Sequence, residues 1–175
     1  MIDNLICRTV IQRAKHAEVQ IDQQSQGKME YGLVLLFGIG FKEIQSEIQE
    51  ENVSNIINQF VPSLEKLADK ICLLRIFEDK EGKLNLSVKD IQGGIYLISQ
   101  FTLFGDCRKG NRPSFTLSAK PILAKPMYDK FLEILKQKME SLKVYSGIFG
   151  AEMKVSFSND GPVTLIMDSG IKGIL

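Results

Sequence analysis

Residues 5–10 and 17–21 are short segments with polar residues between apolar ones, as in half-buried strands, and the polar stretch 22–30 follows as a turn or loop. Residues 33–37 are continuously apolar, which predicts a central strand covered on both faces and ended by Gly38 and Gly40. From Ile44 the period becomes helical. Ile44 and Ile48 are followed by Val53, Ile56, Ile57 and Phe60 at one-face spacing, and Pro62 should stop the helix. Ser63 is then placed to cap a second helix with Leu64, Leu67, Ala68 and Ile71 on its apolar face.

Leu84, Leu86 and Val88 alternate with polar residues, Gly93-Gly94 marks a reversal, and 95–103 returns as a strand, so 84–103 reads as a hairpin. Lys125-Pro126 opens the clearest helix, with Tyr128, Phe131, Leu132, Leu135, Met139 and Leu142 on one stripe. Two further strands, 152–157 and 163–167, flank Ser158-Asn159-Asp160-Gly161-Pro162, whose composition is that of a hairpin turn. Strands outnumber helices, and no repeat or linker interrupts them. The pattern predicts one α/β domain over 1–175, a mostly antiparallel sheet or barrel covered by two or three helices.

Length supports that reading, because a 175-residue chain buries roughly 70% of its unfolded surface and needs no disulfide or metal to hold a core. No stretch approaches the roughly 18 apolar residues of a membrane span. Asp3 and Arg8 interrupt the apolar start and no small-residue cleavage site follows, so a cytoplasmic location is expected. The three cysteines, Cys7, Cys72 and Cys107, are too scattered for a disulfide framework. His16 is the only histidine, which removes Ser-His-Asp and Cys-His-Asn catalysis and multi-histidine metal sites.

Net charge is only +1, but its distribution is uneven. Six basic residues face two acidic ones between Phe104 and Lys130, whereas three lysines face six acidic residues between Lys42 and Lys70. A local positive patch on a neutral chain suits one docked anion better than sliding along nucleic acid; an ordinary solvated surface is the other reading.

Three segments carry candidate chemistry. Ser99-Gln100-Phe101-Thr102-Leu103 places polar groups in an apolar strand, either as an oxyanion-binding wall or as a strand end whose hydroxyls bond neighbouring backbone. In Asn159-Asp160-Gly161-Pro162-Val163-Thr164, residue types alone give a structural turn with a trans prolyl bond. Cys107-Arg108-Lys109-Gly110-Asn111-Arg112-Pro113-Ser114-Phe115 is a basic loop able to meet phosphates, with Phe115 as a stacking surface and Cys107 as an alternative nucleophile.

These segments, with Leu74-Arg75-Ile76-Phe77-Glu78-Asp79, Asn85-Leu86-Ser87 and Phe149-Gly150-Ala151, stand in the order and spacing of D-aminoacyl-tRNA deacylases, which the chain resembles nearly end to end. The resemblance implies a homodimeric, metal-independent ester hydrolase without a cofactor. It would remove D-amino acids, and glycine mischarged on tRNA for alanine, from the acceptor end of tRNA. Ser99, Gln100, Phe101 and Thr102 would line the catalytic pocket. Gly161 and Pro162, joined by a cis bond and inserted into the partner's pocket, would select chirality with Phe149 and Asn159. An oxyanion contact from backbone N–H near Phe101 and Thr102 is expected, and Arg108, Lys109 and Arg112 are expected to meet tRNA phosphates. The segment 41–61 is longer than the family's usual connection and acidic, so a helical insertion directed away from tRNA is expected.

Overall fold

The strands expected at 5–10 and 17–21 are one strand, β1 (Leu5–Ile21), in the computed structural model, which describes residues 2–44 and 48–174. It reverses at Asp22 and Gln23, whose φ values of 49° and 65° are those of a two-residue turn matched to strand twist. The return strand β2 (Gln24–Phe41) begins immediately, so residues 24–30 are strand and not loop. Their side chains are exposed or half-buried, except that of Met29, which is buried together with Ala17 and Val19 of β1. Gly38 and Gly40 likewise lie within β2 and do not end it.

One helix, α1 (Glu50–Leu73), replaces the two expected, and Pro62 lies inside it. Its ring is on the exposed side, and the lost backbone bond is offset by a continuous buried stripe that includes Val53, Ile56, Phe60, Leu64, Leu67 and Ile71. Ser63 caps nothing; its hydroxyl donates to Ile171 O (3.0 Å), tying the C-terminal residues to α1. Ile44 and Ile48 precede the helix, and Gln45, Ser46 and Glu47 lie outside the described residues. Val53, Ile56 and Phe60, from the expected insertion, therefore belong to the main core.

β3 (Phe77–Glu78) pairs with β4 (Leu84–Leu86) in a separate ribbon. β5 (Gly94–Ser99) instead runs parallel to β2, with Leu33 opposite Ile95 and Leu35 opposite Leu97. The expected 84–103 hairpin is absent, because α1 supplies the crossover that a parallel neighbour needs. The second helix, α2 (Pro121–Met139), starts four residues before Lys125, with Pro121 in its first turn. β6 (Val144–Ser146), β7 (Lys154–Gly170) and β8 (Gly173–Ile174) complete a six-stranded sheet of order β6-β5-β2-β1-β7-β8.

Both helices pack on one sheet face, where Phe37 stacks on Phe131 with centroids 4.4 Å apart. A smaller cluster on the other face, including Ala14, Val34, Tyr96 and Ile98, contains no helical residue. Residues 158–162 are not a hairpin. β7 pairs with β1 on both sides of them, Ala14 opposite Asn159 and Gln12 opposite Thr164, so residues 160–163 bulge outward opposite Arg13 alone.

Candidate active site

Ser99 ends β5, Gln100 N–H donates to Phe37 O (2.8 Å), and the chain then bends into a 3-10 turn, Phe101–Phe104. The expected strand over 95–103 therefore ends at Ser99. Local alternation cannot show the cause, which lies on β2: a Cβ on Gly38 would stand 2.7 Å from Gln100 O, so a glycine lets the turn lie flat on the strand. The Ser118 hydroxyl donates to Phe101 O (2.9 Å) and fixes the turn from the far side.

A cavity of about 520 Å³ opens at this point, walled by Phe37, Gly38, Ser99, Gln100, Phe101 and Phe149 among others. Its size falls in the range of small-molecule sites. The structure thus brings together four of the predicted residues, Ser99, Gln100, Phe101 and Phe149. Thr102 stands beside them without lining the cavity, and its hydroxyl accepts from Gln100 Nε2. At the start of a helical turn the first N–H groups, here of Phe101 and Thr102, have no acceptor within the turn. Phe101 is 57% exposed and meets Phe115 edge to face at 5.2 Å, forming an aromatic ledge beside the cavity.

The basic loop follows. Asp106 and Ser114 exchange backbone hydrogen bonds of 2.7 and 2.9 Å and close its base. Arg108 donates from Nε and Nη2 to the two oxygens of Asp106 (2.8 and 2.7 Å), which holds that carboxyl well below the usual range. Arg108 is thereby partly neutralised, and it is exposed along with Lys109 and Arg112. Cys107 is exposed, while burial pushes the Cys72 thiol up to about 11 and the Cys7 thiol higher still.

Gly161 and Pro162 do not line this cavity. Ser99 lies opposite Phe37, Phe37 opposite Thr9 and Thr9 opposite Met167, so Gly161 is three strands away and several residues along the sheet. The Gly161–Pro162 peptide is cis, against the trans bond expected from residue types, and Gly161 has φ +119°. Arg13, only 4% exposed, sits beneath the bulge and donates to Asp160 O (3.1 Å) and Ile76 O (2.9 Å). Asn159, predicted here, spans it. With its nitrogen turned toward Arg13 O and Val163 O (3.1 Å each), its oxygen accepts from Gln12 and Thr164.

Sequence reasoning passed over Arg13, Lys15, Tyr31 and Asp160, which meet at the bulge. A signal existed in Arg13, a charge in the otherwise uncharged run of residues 9–14. Asp160 was hidden by the turn-like company it keeps.

A family model described as D-Tyr-tRNA(Tyr) deacylase matches residues 10–168. A D-aminoacyl-tRNA deacylase of Thermosipho africanus is 47% identical over 162 residues, 93% of this chain and 97% of that protein. One from Thermotoga petrophila is 44% identical over the same shares of each chain. A solved structure described as a c-Myc DNA unwinding element binding protein is 34% identical, with a TM-score of 0.74 over 91% of this chain and 96% of its own. Another, a probable eukaryotic D-amino acid tRNA deacylase at 16% identity, shares the fold with a TM-score of 0.72 over 93% and 99% of the two chains. The match over most of the chain, and relatives this similar over their own near-full length, mean that this chain belongs to the D-Tyr-tRNA(Tyr) deacylase family.

Proposed function

We propose that the protein hydrolyses the ester joining a D-amino acid to the terminal adenosine of tRNA. The observation that carries this reading is the cavity at Ser99, Gln100 and Phe101, beside two N–H groups free to hold an oxyanion, in a chain of this family. An aminoacyl ester is already reactive, and the neighbouring ribose 2′-hydroxyl can orient or activate water. The protein's work is then placement and charge stabilisation. Water attacks the ester carbonyl, negative charge develops on its oxygen, and the N–H groups of Phe101 and Thr102 receive that charge. The terminal base rests on the Phe101–Phe115 ledge, and Lys109 and Arg112, with the partly paired Arg108, meet acceptor-stem phosphates.

The Gly161–Pro162 corner enters the cavity of a second copy and leaves room for a D side chain but not an L one. Glycine, with no side chain to reject, also passes. Support for a homodimer comes from the sheet face away from the helices. Ile98, Leu36, Val10 and Ile166 form one apolar row across four strands, and Ile166 is 71% exposed. A tRNA substrate supports the reading of a cytoplasmic location.

The test is deacylation of matched D-tyrosyl-tRNA and L-tyrosyl-tRNA by the purified protein in the presence of a chelator. Loss of the D ester alone is expected. If neither ester is cleaved while tRNA still binds, the protein is a binding module and the reading falls.

A further inference from the structure

The bulge at residues 160–163 has no cross-strand ladder of its own, since Arg13 is the one β1 residue opposite it. Gly161, with φ +119°, sits where the backbone is least constrained by side-chain sterics. Something else must fix its course. Both carboxylate oxygens of Asp160, the residue before Gly161, are held from two other strands of the sheet. Lys15 on β1 donates to Oδ1 (2.8 Å), while Tyr31 on β2 donates its hydroxyl to Oδ2 (3.3 Å). Arg13 Nε stands 3.2 Å from Oδ2 and also donates to the Asp160 main-chain oxygen. Tyr31 is itself immobilised, its ring edge-on to the fully buried Phe77 with centroids 5.2 Å apart, and the Lys15 ammonium lies 5.4 Å from its ring centre. Neither Lys15 nor Tyr31 lines the cavity.

We propose that Lys15, Tyr31 and Asp160 form a positioning unit that sets the path of the Gly161–Pro162 corner and thereby determines D-over-L selectivity. The inference rests on the reading of that corner as the chiral selector, and goes beyond it by assigning selectivity to residues on two other strands. Charge-assisted bonds to both oxygens hold a carboxylate more firmly than one neutral contact would. A corner whose preceding residue swings free admits wider substrates, so the loss should appear as L-ester cleavage and a raised KM for the D ester, with kcat largely kept.

The experiment measures kcat and KM for D- and L-tyrosyl-tRNA with full-length Asp160→Asn, Lys15→Met, Tyr31→Phe and Lys15→Arg, alongside Gly161→Ala. Asp160→Asn should lower the D:L ratio of kcat/KM on the order of tenfold and Tyr31→Phe about threefold, while Lys15→Arg should restore most of what Lys15→Met loses. Tyr31→Phe removes a single oxygen and keeps the packing against Phe77, so it reports even where a charge change weakens folding. If Gly161→Ala alters the ratio but the folded Asp160, Lys15 and Tyr31 variants do not, the positioning unit is refuted and the selector reading stands. If Gly161→Ala also leaves the ratio unchanged, both fall together.

Discussion

Asp160 shows how the environment of one side chain becomes measurable. The hydrogen bond from Lys15 is the main cause that holds its carboxyl below the ordinary value; burial opposes it, and the charges of Lys15 and Arg13 add smaller contributions in the same direction as the bond. A carboxylate with a depressed folded pKa contributes stability that is fully present above its unfolded value, about 4, and lost as pH falls through the lower folded one. Asp160→Asn should therefore lower the thermal midpoint at pH 7, and the gap to the wild type should close as pH is taken below about 4; thermal melts across that range check it. Thr102, whose hydroxyl is already engaged by Gln100, is expected to be secondary. Thr102→Ala should keep turnover within about a hundredfold of the wild type, whereas complete loss in a folded variant would make its hydroxyl the nucleophile. Cys107→Ala should leave deacylation unchanged, since the exposed thiol does not line the cavity. The residues of the cavity wall were legible as motifs. Lys15 and Tyr31 were not, because each stands alone in its strand and acquires meaning only from cross-strand register.

At the scale of elements, Gly38 links a strand to the site. A methyl there would meet Gln100 O at 2.7 Å and the Phe104 ring at 3.2 Å, so the 3-10 turn must lift away from β2. Gly38→Ala should cost about 1–3 kcal/mol of stability, as overpacking does, and reduce deacylation of D-tyrosyl-tRNA more than that loss explains. Unfolding curves and initial rates on the same preparation separate the two effects. Local rules did well where an element decides its own shape, as with the buried run of β2 and the stripe of α2. They failed where a partner decides. Pro62 did not break α1, because the stripe from Val53 to Ile71 is buried on both sides of it. Gly93-Gly94 did not make a hairpin, because β5 finds β2 across the intervening helix. Residues 158–162 carry every mark of a turn, yet both flanks pair with the same strand β1.

For the whole molecule, Gly161–Pro162 lies apart from the cavity of its own chain, so the proposed selector and the proposed catalytic wall do not meet within one copy. A second copy closes that gap if its corner reaches the first copy's cavity, and the apolar row through Val10 and Ile166 provides a face on which the two can meet. Such a C2 arrangement makes each site from two chains, which gives a prediction no single-chain site shares. Ala151→Trp should fill the cavity, since Ala151 lines it, and Gly161→Ala should spoil the corner, leaving each homodimer inactive or unselective. Mixed and allowed to exchange, the two variants yield heterodimers in half of the population, each with one site made of an intact cavity and an intact corner. About a quarter of the wild-type D-selective sites should then return. Ile166→Lys in both chains should abolish the recovery and shift the sedimentation coefficient to that of a monomer, because it places a charge in the apolar row. Absence of recovery in a verified heterodimer would mean that the cavity and the corner act within one chain, or that the corner does not select at all; the Gly161→Ala kinetics separate those two outcomes.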